Sequence, residues 1–188
     1  MGGFKNSVGF VKLNRYNFHK FKRDLVGLYI HSFSTGDYSQ YTDSEVAGTI
    51  LDNYFNSGCG IAAFVDDDLA GLIVAVSFSL DSEFPEDISF FSDRDKYLYI
   101  AEVMVHNDYR GNGLATMLVE KILSDAAKIF DDAVIRVWDK NLPALNLYIK
   151  LGFKIIASIK QEKLSLDGES FEMNKIYLHK KLTSKRSV

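Results

Sequence analysis

The sequence predicts a mixed α/β fold, in which a sheet of about seven mostly antiparallel strands carries helices on both faces. Short apolar runs predict the strands, and apolar residues spaced by three and four predict the helices between them. From residue 97 to 138 a strand, a helix and a strand follow one another, which is typical of a right-handed parallel crossover. The 188 residues fit one domain, 1–182, with a polar tail, 183–188.

The chain is predicted to begin with a strand and two helices. Residues 7–14 form the strand, and Asn17 is placed to cap a helix that Gly36 ends. The apolar positions of this helix are Phe18, Phe21, Leu25, Leu28 and Tyr29. Thr42 and Glu45 form a capping box for the second helix. The apolar face of the second helix consists of Val46, Ile50 and Tyr54.

The middle of the chain predicts a hairpin, a loop and the crossover helix. Residues 60–80 contain two apolar runs joined by an acidic turn, which indicates a hairpin. Residues 81–96 are polar and include Pro85, so we expect a loop there. A strand over 96–105 leads to a helix over 113–129. The inward positions of that helix are Leu114, Met117, Leu118, Ile122 and Ala126.

The last part of the chain predicts three strands and a short helix. Residues 133–138 form a buried strand, and a helix over 142–151 ends at Gly152. Two closing strands follow, over 153–160 and 171–182. This completes the order β-α-α-β-β-β-α-β-α-β-β.

Composition and charge exclude several classes of function. The 22 basic residues stand against 25 acidic ones, for a net charge of -3, so nucleic acid is not an expected partner. The single cysteine excludes an internal disulfide and a multi-cysteine zinc site, and we predict no metal. No apolar run approaches the roughly 20 residues that span a bilayer, and the first residues lack the apolar core of a signal peptide. We therefore expect a cytoplasmic protein with no membrane partner.

The segment YRGNGLA lies between the central strand and its helix. Its glycines, Gly111 and Gly113, permit close approach to a backbone whose N–H groups are unpaired at the start of a helix. Arg110 adds a cation, so the turn suits a phosphate. The alternative is a purely structural turn, and the spacing matches neither a Walker loop nor a dinucleotide-binding fingerprint.

A second segment, NLPALNLYIKLGF from Asn141 to Phe153, favours the interpretation of the glycine turn as a phosphate site. Arg110, Gly113 and Ala115 match the pattern Arg/Gln-x-x-Gly-x-Gly/Ala. The two motifs, in this order, resemble the GCN5-related N-acetyltransferase (GNAT) superfamily. The resemblance is firm over 97–153 and looser elsewhere, and it implies that superfamily's twisted sheet.

The resemblance implies acetyl-CoA as co-substrate. Its pyrophosphate would lie on the backbone of the glycine turn, comprising Gly111, Asn112, Gly113, Leu114, Ala115 and Thr116. The pantetheine arm would pair with Val103, Met104 and Val105, because an open strand edge satisfies its amides as a neighbouring strand would. The N–H of Val103 or Met104 would polarise the thioester carbonyl. This requires the sheet to open beside that strand. The resemblance implies a β-bulge that opens it, although no bulge is visible in the sequence itself. A plainly buried strand is the alternative.

Three further side chains acquire expected roles from the resemblance. Asn141 would contact the cofactor arm, or alternatively only cap the helix that follows. Tyr148 would protonate the departing thiolate, or alternatively serve as a core aromatic. Glu102 would act as general base, because an attacking amine must lose a proton. Alternation places Glu102 on the face of Ile100 and Met104, and its alternative role is a salt bridge or an edge position. Asp139 is a weaker candidate base.

The acceptor side is less defined by the sequence. The loop 81–96 combines six acids with Phe84, Phe90 and Phe91, which suits a cationic amine, or else is a surface loop whose phenylalanines enter the core. The connection between the first two helices adds Asp37, Tyr38 and Tyr41.

The predicted function is N-acetyl transfer from acetyl-CoA directly to a primary amine, with a small-molecule amine preferred. Acetylation of a protein N-terminus or lysine is the alternative, and a non-catalytic acyl-CoA-binding module is the alternative from another class. Superfamily members that acetylate ribosomal-protein N-termini usually carry glutamate where this chain has Arg136, which disfavours that activity. The assembly state stays open, with a homodimer as one option.

Overall fold

The computed structural model describes residues 7–35, 39–85, 93–165 and 168–182. The strands are β1 (Val8–Leu13), β2 (Cys59–Val65), β3 (Asp68–Ser77), β4 (Tyr97–Val105), β5 (Asp132–Trp138), β6 (Lys154–Leu164) and β7 (Ser170–Lys181). The α-helices are α1 (Lys22–Ser34), α2 (Ser44–Ser57), α3 (Leu114–Ala126) and α4 (Leu142–Lys150). The predicted element order is confirmed. The predicted tail, 183–188, and helix stop, Gly36, lie outside the described residues.

One sheet joins all seven of these strands, in the order β1-β2-β3-β4-β5-β7-β6. Neighbours are antiparallel except β4 and β5, which pair in parallel as the crossover predicted. Helices α3 and α4 pack on one face, around Leu118, Ile122 and Ile135. Helices α1 and α2 pack on the other face, around Leu25, Leu51 and Phe55. None of the helices in the described part of the chain is long and apolar enough to cross a membrane.

A β-bulge in β4 opens the sheet at its centre. Val74 of β3 pairs with Glu102 whereas its neighbour Ala75 pairs with Ile100, so Ala101 is an extra residue on β4. The parallel pairing of β4 with β5 ends at Ile100. Beyond that point the two strands separate, and one edge of β4 is left without a partner strand.

The structure corrects two predicted helix starts. Asn17 makes no capping hydrogen bond, because its side chain instead bonds to Lys12 and Asn14, and α1 begins after Phe21. For α2 the cap is Asp43 rather than Thr42, since the Asp43 carboxylate accepts a 2.8 Å hydrogen bond from the N–H of Val46. The start of α1 at Phe21 has no side-chain cap, whereas at α2 the acid next to the predicted threonine takes the cap.

The predicted apolar face of α2 borders both the core and a cavity. Val46, Ile50 and Tyr54 share one face and line the cavity, and Ile50 and Tyr54 also pack against the core. The fully buried side lies one residue further round the helix and consists of Ala47, Gly48, Leu51 and Phe55.

Candidate active site

The opening between β4 and β5 forms a cavity of about 400 Å³, here called the β4–β5 cavity. Most of the residues predicted to bind the cofactor line it, namely Val103, Met104, Val105, Arg110, Gly111, Gly113, Leu114, Ala115 and Asn141. Both predicted catalytic residues, Glu102 and Tyr148, line it as well. Asn112 and Thr116 lie beside this set without lining the cavity, among the residues that the structure describes.

The glycine turn presents backbone N–H groups to one end of this cavity. Gly111 and Gly113 adopt φ of 80° and 81°, a left-handed conformation that other residues rarely adopt. The first hydrogen bond inside α3 runs from the N–H of Met117 to the carbonyl of Gly113, so the preceding helical N–H groups have no partner within the helix. Asn112 stiffens the turn by donating to the Arg110 carbonyl at 3.2 Å.

Arg110 is positioned by the end of β4. Its Nε donates a 3.0 Å hydrogen bond to the carbonyl of Val105, which directs the guanidinium along the wall of the cavity. The positive end of the helix and this guanidinium act on the same space, so this end of the cavity suits a diphosphate.

The open edge of β4 offers the backbone of Val103. The N–H of His106 donates to the carbonyl of Ala70 at 2.9 Å. This bond identifies the residues of β4 whose backbone groups point toward β3. Because these residues alternate in an antiparallel ladder, Met104 bonds to β3 whereas Val103 and Val105 face the cavity. The Val105 carbonyl is already bonded to Arg110. Of the two N–H groups named above for the thioester carbonyl, the open one is therefore that of Val103.

Asn141 caps α4 from a position in the wall of the β4–β5 cavity. Its Oδ1 accepts a 3.3 Å hydrogen bond from the N–H of Ala144 and so caps α4. Its side chain also lines the β4–β5 cavity, and Pro143 follows in the first turn, where a missing N–H has no cost. The cap fixes Asn141 at the cavity wall.

Tyr148 reaches the cavity from α4 while its ring packs in the core. The residue is only 5% exposed, and its ring meets Phe153 edge-on at 6.1 Å between centroids. Burial, followed by the nearby Glu102 charge, raises the pKa of the Tyr148 phenol well above its ordinary value. The hydroxyl is therefore protonated at neutral pH and is a weaker acid than a free phenol.

Glu102 lies against two tyrosines that the sequence did not identify. The Tyr54 hydroxyl bonds to Oε1 of Glu102 at 3.3 Å, and the Tyr29 hydroxyl interacts with the same carboxylate. Burial raises the pKa of Glu102 to about 7, against smaller opposing effects of Lys175 and Tyr54. A carboxyl group with this pKa exchanges protons near neutrality, as a general base requires.

The bulge corrects the face predicted for Glu102. Ile100 packs with α3, whereas Met104 packs with α1 and α2, so simple alternation fails between them. The extra residue, Ala101, reverses the alternation and turns Glu102 toward Tyr54. The weaker candidate, Asp139, is bonded to Asn174 and lines neither cavity in the described part of the chain.

A second cavity of about 350 Å³, the α2–β4 cavity, adjoins the first. Its wall comes from α1, α2, β4, β5 and the ends of β6 and β7, and includes Tyr29, Tyr41, Ile50, Tyr54, Glu102, Arg136, Lys163 and Lys175. Glu102 and Ala101 belong to both cavities, so the carboxylate lies where the two meet.

Asp81 and Glu83, two of the described acids of the loop 81–96, bond within the protein rather than line this cavity, whereas Glu86 and Asp87 lie outside the described residues. Arg136 pairs with Glu83 and with the buried Asp81, while the Tyr177 hydroxyl donates to Asp81 at 2.8 Å. Phe84 is 3% exposed and packs edge-on against Tyr177, as the core alternative for this loop predicted. The remaining residues singled out here, Asp37, Tyr38, Phe90 and Phe91, lie outside the described residues.

Lys175 is the functional candidate that sequence reasoning missed. It lies on β7 between Met173 and Tyr177, which are both fully buried on the same face of the strand. A lysine that interrupts a buried strand face was the available signal. Tyr29 and Tyr54 gave no such signal, because tyrosines on amphipathic helices commonly pack in the core.

The profile of the acetyltransferase (GNAT) family matches residues 18–153. The chain belongs to the GNAT acetyltransferase family. Its fold is similar to that of an N-acetyltransferase from Staphylococcus aureus Mu50, with a TM-score of 0.70 at 12% identity over 94% of this chain and 99% of that one. A search of curated proteins finds no match in sequence.

Two other solved structures share the GNAT fold. The protein yncA of Salmonella typhimurium, solved with its cofactor acetyl-CoA, gives a TM-score of 0.69 at 12% identity over 97% of this chain and 98% of that one. A ribosomal-protein-alanine N-acetyltransferase from Brucella melitensis gives 0.69 at 14% identity over 93% and 99%. As a GNAT protein this chain uses acetyl-CoA. The unpaired N–H groups of the glycine turn and the open edge of β4 fit that co-substrate.

Proposed function

We propose that this acetyltransferase transfers the acetyl group directly to a primary amine, with a small-molecule amine preferred. The observation that supports this most is the position of Glu102 at the junction of the two cavities. A carboxylate there can receive a proton from an acceptor in the α2–β4 cavity while the acetyl donor occupies the β4–β5 cavity. The proposal treats residues 1–182 as a single catalytic domain.

The protein residues supply a base, an anion-stabilising donor and an acid. Acetyl-CoA supplies the activated acetyl group. As the nitrogen–carbon bond forms, Glu102 takes the proton that the amine loses. The N–H of Val103 donates to the carbonyl oxygen as negative charge develops on it. As the carbon–sulfur bond breaks, Tyr148 gives its proton to the sulfur.

The size of the α2–β4 cavity favours a small acceptor. A volume of about 350 Å³ accommodates a compact amine. Acylation of a protein N-terminus or lysine is the competing function, and it requires an open peptide groove. Arg136 lines the α2–β4 cavity, and its guanidinium is fixed by Glu83. A binding module without catalysis would leave the pairing of Glu102 with Tyr54 without a purpose.

The test is acetyl-CoA turnover, measured as free thiol release, against a panel of acceptors. The panel contains small primary amines, a peptide with a free alanine N-terminus and a lysine peptide with a blocked N-terminus. Faster release with small amines is expected. Faster release with either peptide would select the protein-directed alternative, and binding of acetyl-CoA without turnover of any acceptor would select the binding module.

A further inference from the structure

The charges that line the α2–β4 cavity are unequal. Among its described lining residues, Arg136, Lys163 and Lys175 are cationic, and Glu102 is the one acid. The acids that pair with Arg136 lie behind it, outside the cavity wall. Arg136 is therefore neutralised within the protein. Among the described residues, the two lysines have no carboxylate within salt-bridge distance, and Glu102 is the one acid that shares their cavity.

Neither lysine has a salt-bridge partner within the described part of the chain. Other lysines of the closing strands do have contacts, since Lys160 pairs with Glu172 at 3.0 Å and Lys180 donates to the Leu151 carbonyl. Lys163 and Lys175 come from neighbouring strands, β6 and β7, and both are half-buried at the cavity wall. Two ammonium groups directed into one cavity normally accompany an anion.

The pKa of Lys175 indicates that this part of the cavity favours an anion. Burial and then the charge of Arg136 lower the pKa of Lys175 to about 8, against the opposing effect of Glu102. The opposing carboxylate is too weak to hold this ammonium at an ordinary pKa. An additional negative charge in the cavity would restore it.

We propose that the acceptor amine carries an oxyanion, a carboxylate or a phosphate, which binds to Lys163 and Lys175. This rests on the proposed amine acetylation and specifies its substrate class. The amine group then lies toward Glu102 and the oxyanion toward β6 and β7. A polyamine or other multiply cationic acceptor is excluded by the same charges, because its second ammonium would meet the two lysines. The paired acids of the loop 81–96 do not offset this repulsion.

Matched amines that differ only in the oxyanion test the proposal. The pairs are glycine with methylamine, lysine with cadaverine, and O-phosphoethanolamine with ethanolamine. In each pair the oxyanion-bearing amine is expected to have a kcat/KM higher by about 10- to 100-fold, the effect of one or two charge-assisted contacts. A preference confined to the carboxylate pairs or to the phosphate pair identifies which oxyanion binds. Equal rates, or faster turnover of the plain amines, would overturn the proposal.

Charge variants assign the preference to the two lysines. Lys163→Glu, at a half-exposed position, and Lys175→Met are expected to raise KM for the oxyanion-bearing amine and to remove its advantage over its matched partner. The Kd for acetyl-CoA should not change in Lys163→Glu, which also shows that this variant is folded. Lys175 lines the β4–β5 cavity too, so the folding of Lys175→Met is checked by its thermal unfolding instead. Lys160→Met, on the exposed side of β6, is the matched control and should keep the preference. A preference that survives both cavity variants would refute the assignment.

Failure of this proposal and failure of the proposed function give different results. If no amine releases thiol while acetyl-CoA still binds, amine acetylation is wrong. Calorimetry of O-phosphoethanolamine and of ethanolamine with the acetyl-CoA complex then still tests the anion site. Tighter binding of the phosphate compound, lost in Lys163→Glu, would support the site, and equal binding would refute it.

Discussion

The Tyr54 hydroxyl donates a 3.3 Å hydrogen bond to Oε1 of Glu102, which joins α2 to the bulged part of β4. Burial raises the pKa of Glu102, and this hydrogen bond lowers it again by stabilising the carboxylate. The resulting pKa of about 7 is a balance between burial and several opposing effects, of which the charge of Lys175 is the largest and this hydrogen bond the next. The tyrosine therefore adjusts the base as well as holding it in position.

Replacing Glu102 by glutamine should slow acetyl transfer without weakening acetyl-CoA binding. A glutamine keeps the shape of the side chain but cannot accept the amine proton, so kcat should fall by about 10²- to 10⁴-fold. Steady-state thiol release and calorimetry with acetyl-CoA measure the two quantities. An unchanged kcat would exclude Glu102 as the base.

Tyr54→Phe should move the acidic limb of the rate profile to higher pH. In the wild type, kcat/KM is expected to rise with pH through about 7, as Glu102 loses its proton. Removing the hydroxyl removes a contact that favours the carboxylate, so the pKa of Glu102 rises and the limb shifts upward. Tyr97→Phe, on β4 away from both cavities, is the control and should leave the limb in place.

Tyr148→Phe should reduce kcat and leave the Kd for acetyl-CoA nearly unchanged. The ring keeps its packing against Phe153, so the loss is that of the proton donor, expected at about 10²-fold. The largest effect should appear with acyl donors whose leaving thiol has a high pKa. Tyr16→Phe, at a residue that is 70% exposed, serves as the control. A variant as active as the wild type would assign Tyr148 to the core alone.

Gly113→Ala should destabilise the fold and weaken acetyl-CoA binding. A Cβ at this position meets no atom within 4 Å, so the penalty comes from the φ of 81° and not from a clash. The expected loss in the free energy of unfolding is about 1–2 kcal/mol, and any relaxation of the turn moves its N–H groups. Gly9→Ala, equally uncrowded but without a positive φ, should have no effect on binding. If both variants bind acetyl-CoA alike, backbone strain is not the reason for this glycine.

Arg136→Gln should lower the free energy of unfolding by about 3–5 kcal/mol, because it leaves the buried Asp81 with its charge uncompensated. Urea unfolding measures the loss. Lys160→Gln, which removes an exposed pair with Glu172, should change stability by at most about 0.5 kcal/mol. A similarly small effect at Arg136 would show that the Tyr177 hydroxyl and the N–H of Glu83 satisfy Asp81 without Arg136.

Local patterns predicted the element order and the cofactor turn. Apolar periodicity is a property of a single segment, so it can be recognised in the sequence. A turn such as the one around Gly111 and Gly113 can likewise be recognised from its glycines. The bulge at Ala101 was not predictable in this way, because register is a property of two strands together. That single extra residue changed the face on which Glu102 lies.

The acceptor side depended on contacts between distant segments. Arg136 meets Glu83 across 53 positions, and no local pattern marks that pair. The predicted cationic acceptor relied on counting acids in one loop. A count of acids does not reveal which basic residues pair with them. Lys175, on the buried face of β7, could have been noticed in the sequence but was not considered.

The short pairing between β4 and β5 also affects how the protein moves. Among the described residues, the strand pairing that joins the first four strands to the last three is confined to Tyr97–Ile100, so the hydrogen-bonded connection across the middle of the sheet is narrow. A molecule bonded to both Val103 and the start of α4 would add a second connection between the two halves of the sheet. When such a molecule is bound, the two halves of the sheet would move together as one rigid body. Backbone amides remote from the bound molecule would then exchange more slowly with solvent.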